Sequence, residues 1–175
     1  RLVSDWSSDV CSSDLVMLRL TPGIECHTHE YIRTGHIDSK FGFDPTQVEE
    51  VFDFVTQQDC ISVIGIHAHI GSQIFELQPH GDLGDVLVSW FKKAQDRGLP
   101  VAELNVGGGL GIRYTEQDDP PSIHEWIEVV TRSVTAACEK YQVALPKLIC
   151  EPGRSLVGSS CVTADRKSTR LNSSH

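Results

Sequence analysis

No apolar run in the 175-residue sequence is long enough to cross a bilayer, because a spanning helix needs ~20 consecutive apolar residues. No signal-peptide pattern appears at its start, which fits a cytoplasmic protein. Runs of basic residues are missing as well: 15 lysines and arginines face 24 acidic residues, giving a net charge of −9. Such a surface repels phosphate backbones and anionic lipids, so neither nucleic acid nor a membrane is an expected partner.

Both ends of the chain lack any helical or strand period. Residues 1–15 and 165–175 are rich in serine and aspartate or serine and arginine. They resemble read-through translation of a sequencing adapter, and back-translation onto reverse-complementary DNA would establish this. Segments of that kind are set aside from fold reasoning. Residues 16–164 are the expected native part, one partial domain cut at both ends. Within it Cys26, Cys60, Cys138, Cys150 and Cys161 are odd in number and show no C-x-x-C spacing. Cys60, Cys138 and Cys150 lie in or beside apolar segments, so buried reduced thiols are expected.

What the sequence does contain is strand and helix in alternation. Residues 16–20 read as a short strand stopped by Thr21-Pro22-Gly23, and residues 24–43 as a long irregular loop. Asp44 is expected to cap a helix with Pro45 at its first position, and Val48, Val51, Phe52 and Val55 form its buried stripe. Residues 61–70 read as a strand. The next helix presents Leu83, Val86, Leu87, Trp90, Phe91 and Ala94 on one face, with Gly98 at its left-handed end and Pro100 beyond. Residues 101–106 and 145–150 read as two more strands. Between them Ser122 and Glu125 spell a capping box, followed by the stripe Ile123, Trp126, Ile127, Val130, Val134 and Ala137. Residues 155–164 are expected to begin a further extended segment. The alternation implies parallel strands with helical crossovers, in either an open doubly wound sheet or a closed barrel. Chemistry collects at the carboxyl ends of the strands in both.

Three motifs stand at those ends. The first is His67-Ala68-His69-Ile70-Gly71-Ser72. His67 and His69 alternate along a strand and so point the same way. Such a pair could bind a metal in a barrel hydrolase, with Cys26, His27 and His29 extending the set, or could be ordinary hydrogen-bonded core residues. Gly71 and Ser72 favour a phosphate instead, by close backbone approach and a hydroxyl donor. The second motif, Gly107-Gly108-Gly109, can turn several N–H groups toward an anion, or can simply be a flexible turn. It has the spacing of neither a dinucleotide fingerprint nor a nucleotide P-loop. The third is Glu151-Pro152-Gly153-Arg154. A carboxylate leaving a buried strand calls for a cationic partner, and a protonated pyridine nitrogen would serve. Arg154 offers a planar fork for phosphate or carboxylate. A structural Glu151–Arg154 pair is the plainer alternative.

The phrase His69-Ile70-Gly71-Ser72-Gln73, the triple glycine, Glu151-Pro152-Gly153-Arg154 and Ser39-Lys40-Phe41-Gly42 resemble the fold-type III pyridoxal-phosphate-dependent amino-acid decarboxylases. The resemblance covers essentially all of residues 16–164. It implies an α/β fold, a partial (β/α)8 barrel of the alanine-racemase-like type, with the family's C-terminal β-domain absent. It implies pyridoxal 5'-phosphate as cofactor, no metal, a small amino-acid substrate and a homodimeric intact enzyme. By resemblance His69 stacks on the cofactor ring and Glu151 pairs with the ring nitrogen. Ser72, Gly107, Gly108 and Gly109 hold the phosphate, Arg154 contacts it and also meets substrate, and Gly153 belongs to the cofactor-binding set. Arg19 matches an arginine beneath the cofactor. Lys40 belongs to a recurring motif without assigned chemistry. The cofactor-anchoring lysine is expected upstream of residue 16, and a cysteine and a tyrosine near the cofactor downstream. The phrase from Gly65 to Phe75, with Tyr31-Ile32-Arg33-Thr34-Gly35-His36, is nearest the branch that converts meso-diaminopimelate to L-lysine and carbon dioxide. Branches acting on ornithine, arginine or carboxynorspermidine, and a non-catalytic binding paralogue, are the alternatives. A chain without the anchoring lysine is expected to be inactive.

Overall fold

The computed structural model describes residues 14–24 and 41–160. Strand β1 (Asp14–Leu20) leads to helix α1 (Val48–Val55), then β2 (Ile61–Ala68), α2 (Gln78–Asp96), β3 (Glu103–Asn105), α3 (Ile123–Tyr141), β4 (Lys147–Ile149) and a short α4 (Gly153–Val157). The strands form one parallel sheet in the order β1-β2-β3-β4. A doubly wound sheet reverses its strand order at a switch point. No reversal occurs among the described strands, and stepwise order is that of a (β/α) barrel.

The register sorts the strands into alternating rungs. Leu18, Ile66, Leu104 and Leu148 are aligned across the sheet. Leu18 is 7% exposed, Ile66 and Leu104 0%. Leu18 lines a cavity with Val51, Phe54 and Val55 of α1, so this rung faces the helices. The next rung is Arg19, His67, Asn105 and Ile149. Successive side chains of a strand point to opposite faces, which turns that rung away from the helix layer. The pairing slips by one residue between Val16 and Met17. The slip lets Val63 be buried along with Ile66 and Ala68, a spacing of three and then two.

The helices obey their sequence signals. Ser122 and Glu125 form a reciprocal capping box, with Ser122 N–H donating to Glu125 Oε2 at 2.8 Å and Glu125 N–H to Ser122 Oγ at 3.2 Å. Helix α2 ends with Gly98 at φ +79°, and Leu99 N–H returns to the Ala94 carbonyl at 3.1 Å. Side chains at i, i+4 and i+8 share a helical face, and Leu83, Leu87, Phe91 of α2 and Trp126, Val130, Val134 of α3 are buried. Full burial of each such side chain contributes ~1.5–3 kcal/mol. Gly84 lets α3 approach closely, since a Cβ there would overlap Ser133, whose hydroxyl donates to the Gly81 carbonyl.

Several expectations are corrected. Asp44 does not cap α1: its carboxylate accepts from Thr46 N–H at 2.8 Å and from the Thr46 hydroxyl, and the helix starts at Val48 after Gln47. A short side chain heading a turn satisfies the nearest donors first. Strand β1 begins at Asp14, two residues before the expected boundary, because backbone pairing with β2 does not depend on side-chain polarity. Strand β4 is shorter than expected, and Leu145 is 66% exposed. Ile123 is exposed at the first turn of α3, where the stripe has not yet met α2. Residues 155–160 are not extended. They belong to α4 and a 3-10 turn, because Leu156 N–H and Ser155 Oγ both bond the Pro152 carbonyl. Cys60 is exposed, while Cys138 is buried and Cys150 half-buried. Cys26, His27, His29, Ser39, Lys40 and Cys161 lie outside the described residues, as does most of the loop 24–43.

Candidate functional site

The three motifs meet at the carboxyl ends of β2, β3 and β4. The glycine turn lies in the middle. Gly107 has φ +68° and Gly109 φ +103°, a region other residues enter only with strain. Space is equally restrictive. A Cβ on Gly107 would stand 2.6 Å from the Ala68 carbonyl oxygen, and one on Gly109 2.7 Å from that of Gly71. One on Gly108 would overlap the Glu151 carbonyl oxygen. Backbone therefore packs on backbone from three strand ends, leaving a side-chain-free floor.

His69 and Glu151 flank this turn. Gly108 N–H donates to His69 Nδ1 at 3.3 Å, and Glu151 N–H donates to the Gly107 carbonyl at 2.7 Å. The two residues had to sit near the turn for the motifs to form one site, and they do. Burial pushes the His69 imidazole below its usual pKa. The Arg19 charge acts in the same direction and Glu151 opposes it. The neutral ring accepts at Nδ1, which leaves its proton on Nε2.

Arg154 projects from α4 to the loop after β2. Its Nη2 donates to Ser72 Oγ at 3.0 Å and its Nη1 donates to the Tyr114 hydroxyl, with the guanidinium 5.6 Å from the Tyr114 ring centre. The alternative of a structural Glu151–Arg154 pair is thus not formed. Glu151 is instead held by Asn105, whose Nδ2 donates to Oε1 at 2.7 Å. Its side chain is 53% exposed, so the buried carboxylate expected from sequence is corrected: the strand ends at Ile149, and Glu151 stands on the open rim.

His67 is half-buried, and its Nε2 has no hydrogen-bond partner and lies 3.9 Å from Glu151 Oε2. Burial lowers its pKa first; Glu151 raises it, while Arg19 and His69 lower it. Arg19, its neighbour on the rung, lies 5.1 Å from the Phe41 ring centre. Among the described residues no group of three or more His, Cys, Asp or Glu gathers in a way that could hold a metal.

Some glycine amides are already engaged. Gly107 N–H donates to Asn105 Oδ1 at 2.9 Å, Gly108 N–H to His69, and Gly153 N–H to the Glu151 carbonyl at 2.8 Å. Gly153 carries no steric demand for glycine, since a Cβ there would meet nothing within 4 Å. Three contributors were missed from sequence. Asn105 could have been flagged as an amide inside an apolar strand, which demands a partner. Gln73 has φ +59° and bonds both backbone groups of Ile112, at 2.6 and 3.1 Å, tying the Ser72 loop to the glycine loop. Tyr114 carried no local signal.

The family model for the "Pyridoxal-dependent decarboxylase, pyridoxal binding domain" matches residues 7–158. The chain belongs to the pyridoxal-dependent decarboxylases. It is 68% identical over 151 residues to a diaminopimelate decarboxylase of Synechocystis, covering 86% of this chain and 32% of the relative. It is 41% identical over 165 residues to the Bacillus subtilis diaminopimelate decarboxylase, covering 93% and 38%. The Helicobacter pylori diaminopimelate decarboxylase crystallised with L-lysine superposes with a TM-score of 0.73 at 27% identity, over 83% of this chain and 35% of that one. The chain spans about a third of the length of these relatives.

As a pyridoxal-dependent decarboxylase domain it must accommodate pyridoxal phosphate, and its residues fit. The Ser72 hydroxyl and the Arg154 guanidinium are bonded to each other beside the side-chain-free turn, and both carry donors suited to an anion. Glu151 supplies a carboxylate on the other flank. A phosphate and a cationic ring nitrogen need that division of charge.

Proposed function

We propose that the full-length protein is a diaminopimelate decarboxylase, releasing carbon dioxide from meso-diaminopimelate to give L-lysine, and that this chain is part of its cofactor-binding barrel. The observation that carries the proposal is the convergence of His69, the Gly107–Gly108–Gly109 turn, Ser72, Arg154 and Glu151 at one end of the sheet. The 68% identity to the Synechocystis enzyme supports the choice of substrate.

Bound here, pyridoxal phosphate supplies a conjugated, electron-withdrawing ring that accepts the electron pair left behind by departing carbon dioxide. Glu151 holds a proton at the ring nitrogen through its negative charge, an electrostatic contribution aimed where charge develops. His69 would meet the ring with its imidazole. Ser72, the glycine turn and Arg154 would receive the phosphate, and Arg154 would orient a substrate carboxylate. Arg19 would contribute a positive charge near the bound cofactor. His69 and Glu151 are in this reading the catalytic residues. We further assign the whole enzyme to a homodimer in the cytoplasm, residues 16–164 to the barrel, and residues 1–15 and 165–175 to adapter-derived sequence.

The test is carbon dioxide release from meso-diaminopimelate by the full-length protein, with and without added pyridoxal phosphate. Cofactor-dependent release with equimolar lysine is expected, and none from the 175-residue chain alone. Release from ornithine or arginine in place of diaminopimelate would contradict the substrate.

A further inference from the structure

Among the described residues the buried polar side chains are Thr21, His80 and Asn105. Asn105 is 5% exposed at the end of β3, on the rung that also carries Arg19 and His67. The two ends of its amide serve different neighbours. Oδ1 accepts from Gly107 N–H at 2.9 Å, and Nδ2 donates to Glu151 Oε1 at 2.7 Å. A backbone N–H can only donate, so the carbonyl end of the amide must face Gly107. The NH2 end must then face Glu151. The orientation is dictated by chemistry on both sides.

Glu151 needs such a constraint. Its side chain stands half in solvent, where several rotamers are open to it. With Oε1 held by Asn105, Oε2 is left for another partner, and the His67 Nε2 atom 3.9 Å away is beyond hydrogen-bond range.

We propose that Asn105 is a positioning residue that fixes Glu151 Oε1, and so presents Oε2 to the ring nitrogen of the cofactor at a set distance from the glycine turn. The inference rests on the assignment of Glu151 to the ring nitrogen made above. One amide then joins the group that meets the phosphate end of the cofactor to the group that meets its ring nitrogen. A site held in this way keeps its geometry through the rigidity of the strand beneath it.

The test uses full-length holoenzyme loaded with pyridoxal phosphate isotopically labelled at the ring nitrogen, whose magnetic resonance reports protonation there. Three variants are compared: Asn105→Leu, Asn105→Asp and Glu151→Gln. Asn105→Asp is isosteric and still accepts from Gly107, but it sets a second acceptor against Glu151. It also keeps the test open should the leucine variant fail to fold. Both Asn105 variants are expected to move the resonance toward the unprotonated position, in the same sense as Glu151→Gln. Both are expected to weaken cofactor binding about tenfold, the loss of one hydrogen bond to a charged group. A wild-type resonance and affinity in Asn105→Asp would overturn the proposal, whether or not Asn105→Leu is impaired, because Asn105 would then serve the glycine turn alone. An unmoved resonance in Glu151→Gln would instead overturn the assignment of Glu151 itself, and the role of Asn105 with it.

Discussion

On the helix side of the sheet, Leu18, Ile66 and Leu104 are shielded from solvent, and a volume change there is felt through the whole layer. One residue further along the same strands, Arg19, His67 and Asn105 point the other way and carry charge, titratable nitrogen and a doubly bonded amide. The strands are shared, so the difference comes entirely from the period of two. The apolar rung supplies stability and tolerates any side chain of matching shape. The polar rung supplies direction, with one Asn105 amide bonded both to the glycine turn and to the Glu151 carboxylate.

Substitutions can separate these two jobs. The largest effect is expected from Gly108→Ala, whose methyl would overlap the Glu151 carbonyl oxygen. Loss of measurable cofactor binding in a spectrophotometric titration is the expected outcome. Glu151→Gln comes next: kcat falls about a hundredfold, in line with removal of one aligned electrostatic group, while the melting temperature stays at its native value. Leu104→Ala inverts that pattern. It costs about 3 kcal/mol in denaturant unfolding, with the specific activity of the folded fraction retained.

A smaller, pH-dependent effect belongs to the helix layer. His80 is 2% exposed, its Nε2 is unpartnered, and its ring meets Trp126 edge-on with centroids 5.7 Å apart. Burial, with a lesser push from His69, lowers its pKa from 6.5 to about 4. The unfolded chain therefore binds a proton more readily than the native one between those values. The stability contributed by neutral His80 is fully present above pH 6.5 and lost as pH falls toward 4, by about 2 kcal/mol between pH 7 and pH 5. His67 and His69 add to the loss in the same direction. His80→Phe should flatten the dependence of melting temperature on pH across that interval; an unchanged slope would place the titration elsewhere. The smallest effect is expected at the Glu103–Lys147 pair, whose 2.8 Å contact is largely solvated on the lysine side. Lys147→Ala should change stability by less than ~1 kcal/mol.

The sequence made one face of this comparison easier to read than the other. Local signals were reliable where a few neighbouring residues decide the outcome, as with the Ser122–Glu125 box and the glycine that ends α2. The strand-end positions of His69, the glycine turn and Glu151 followed from the alternation of strands and helices. Sheet order did not follow, because it depends on pairing between segments far apart in the chain. Nor did the partner of Glu151. The motif offers Arg154 three residues away only as the plainer alternative to a cationic ring nitrogen, and the side-chain bond to Glu151 comes from Asn105, 46 residues back. Asp44 shows the opposite failure, a sound cap signal outcompeted by a turn two residues long.

The account stands most directly on where Glu151 meets the cofactor in a crystal structure of the full-length enzyme with pyridoxal phosphate bound. A Glu151 carboxylate oxygen about 3 Å from the ring nitrogen, with the phosphate against Ser72 and the glycine turn, is the predicted result. A ring nitrogen facing any other group, or a phosphate bound away from that turn, would contradict it.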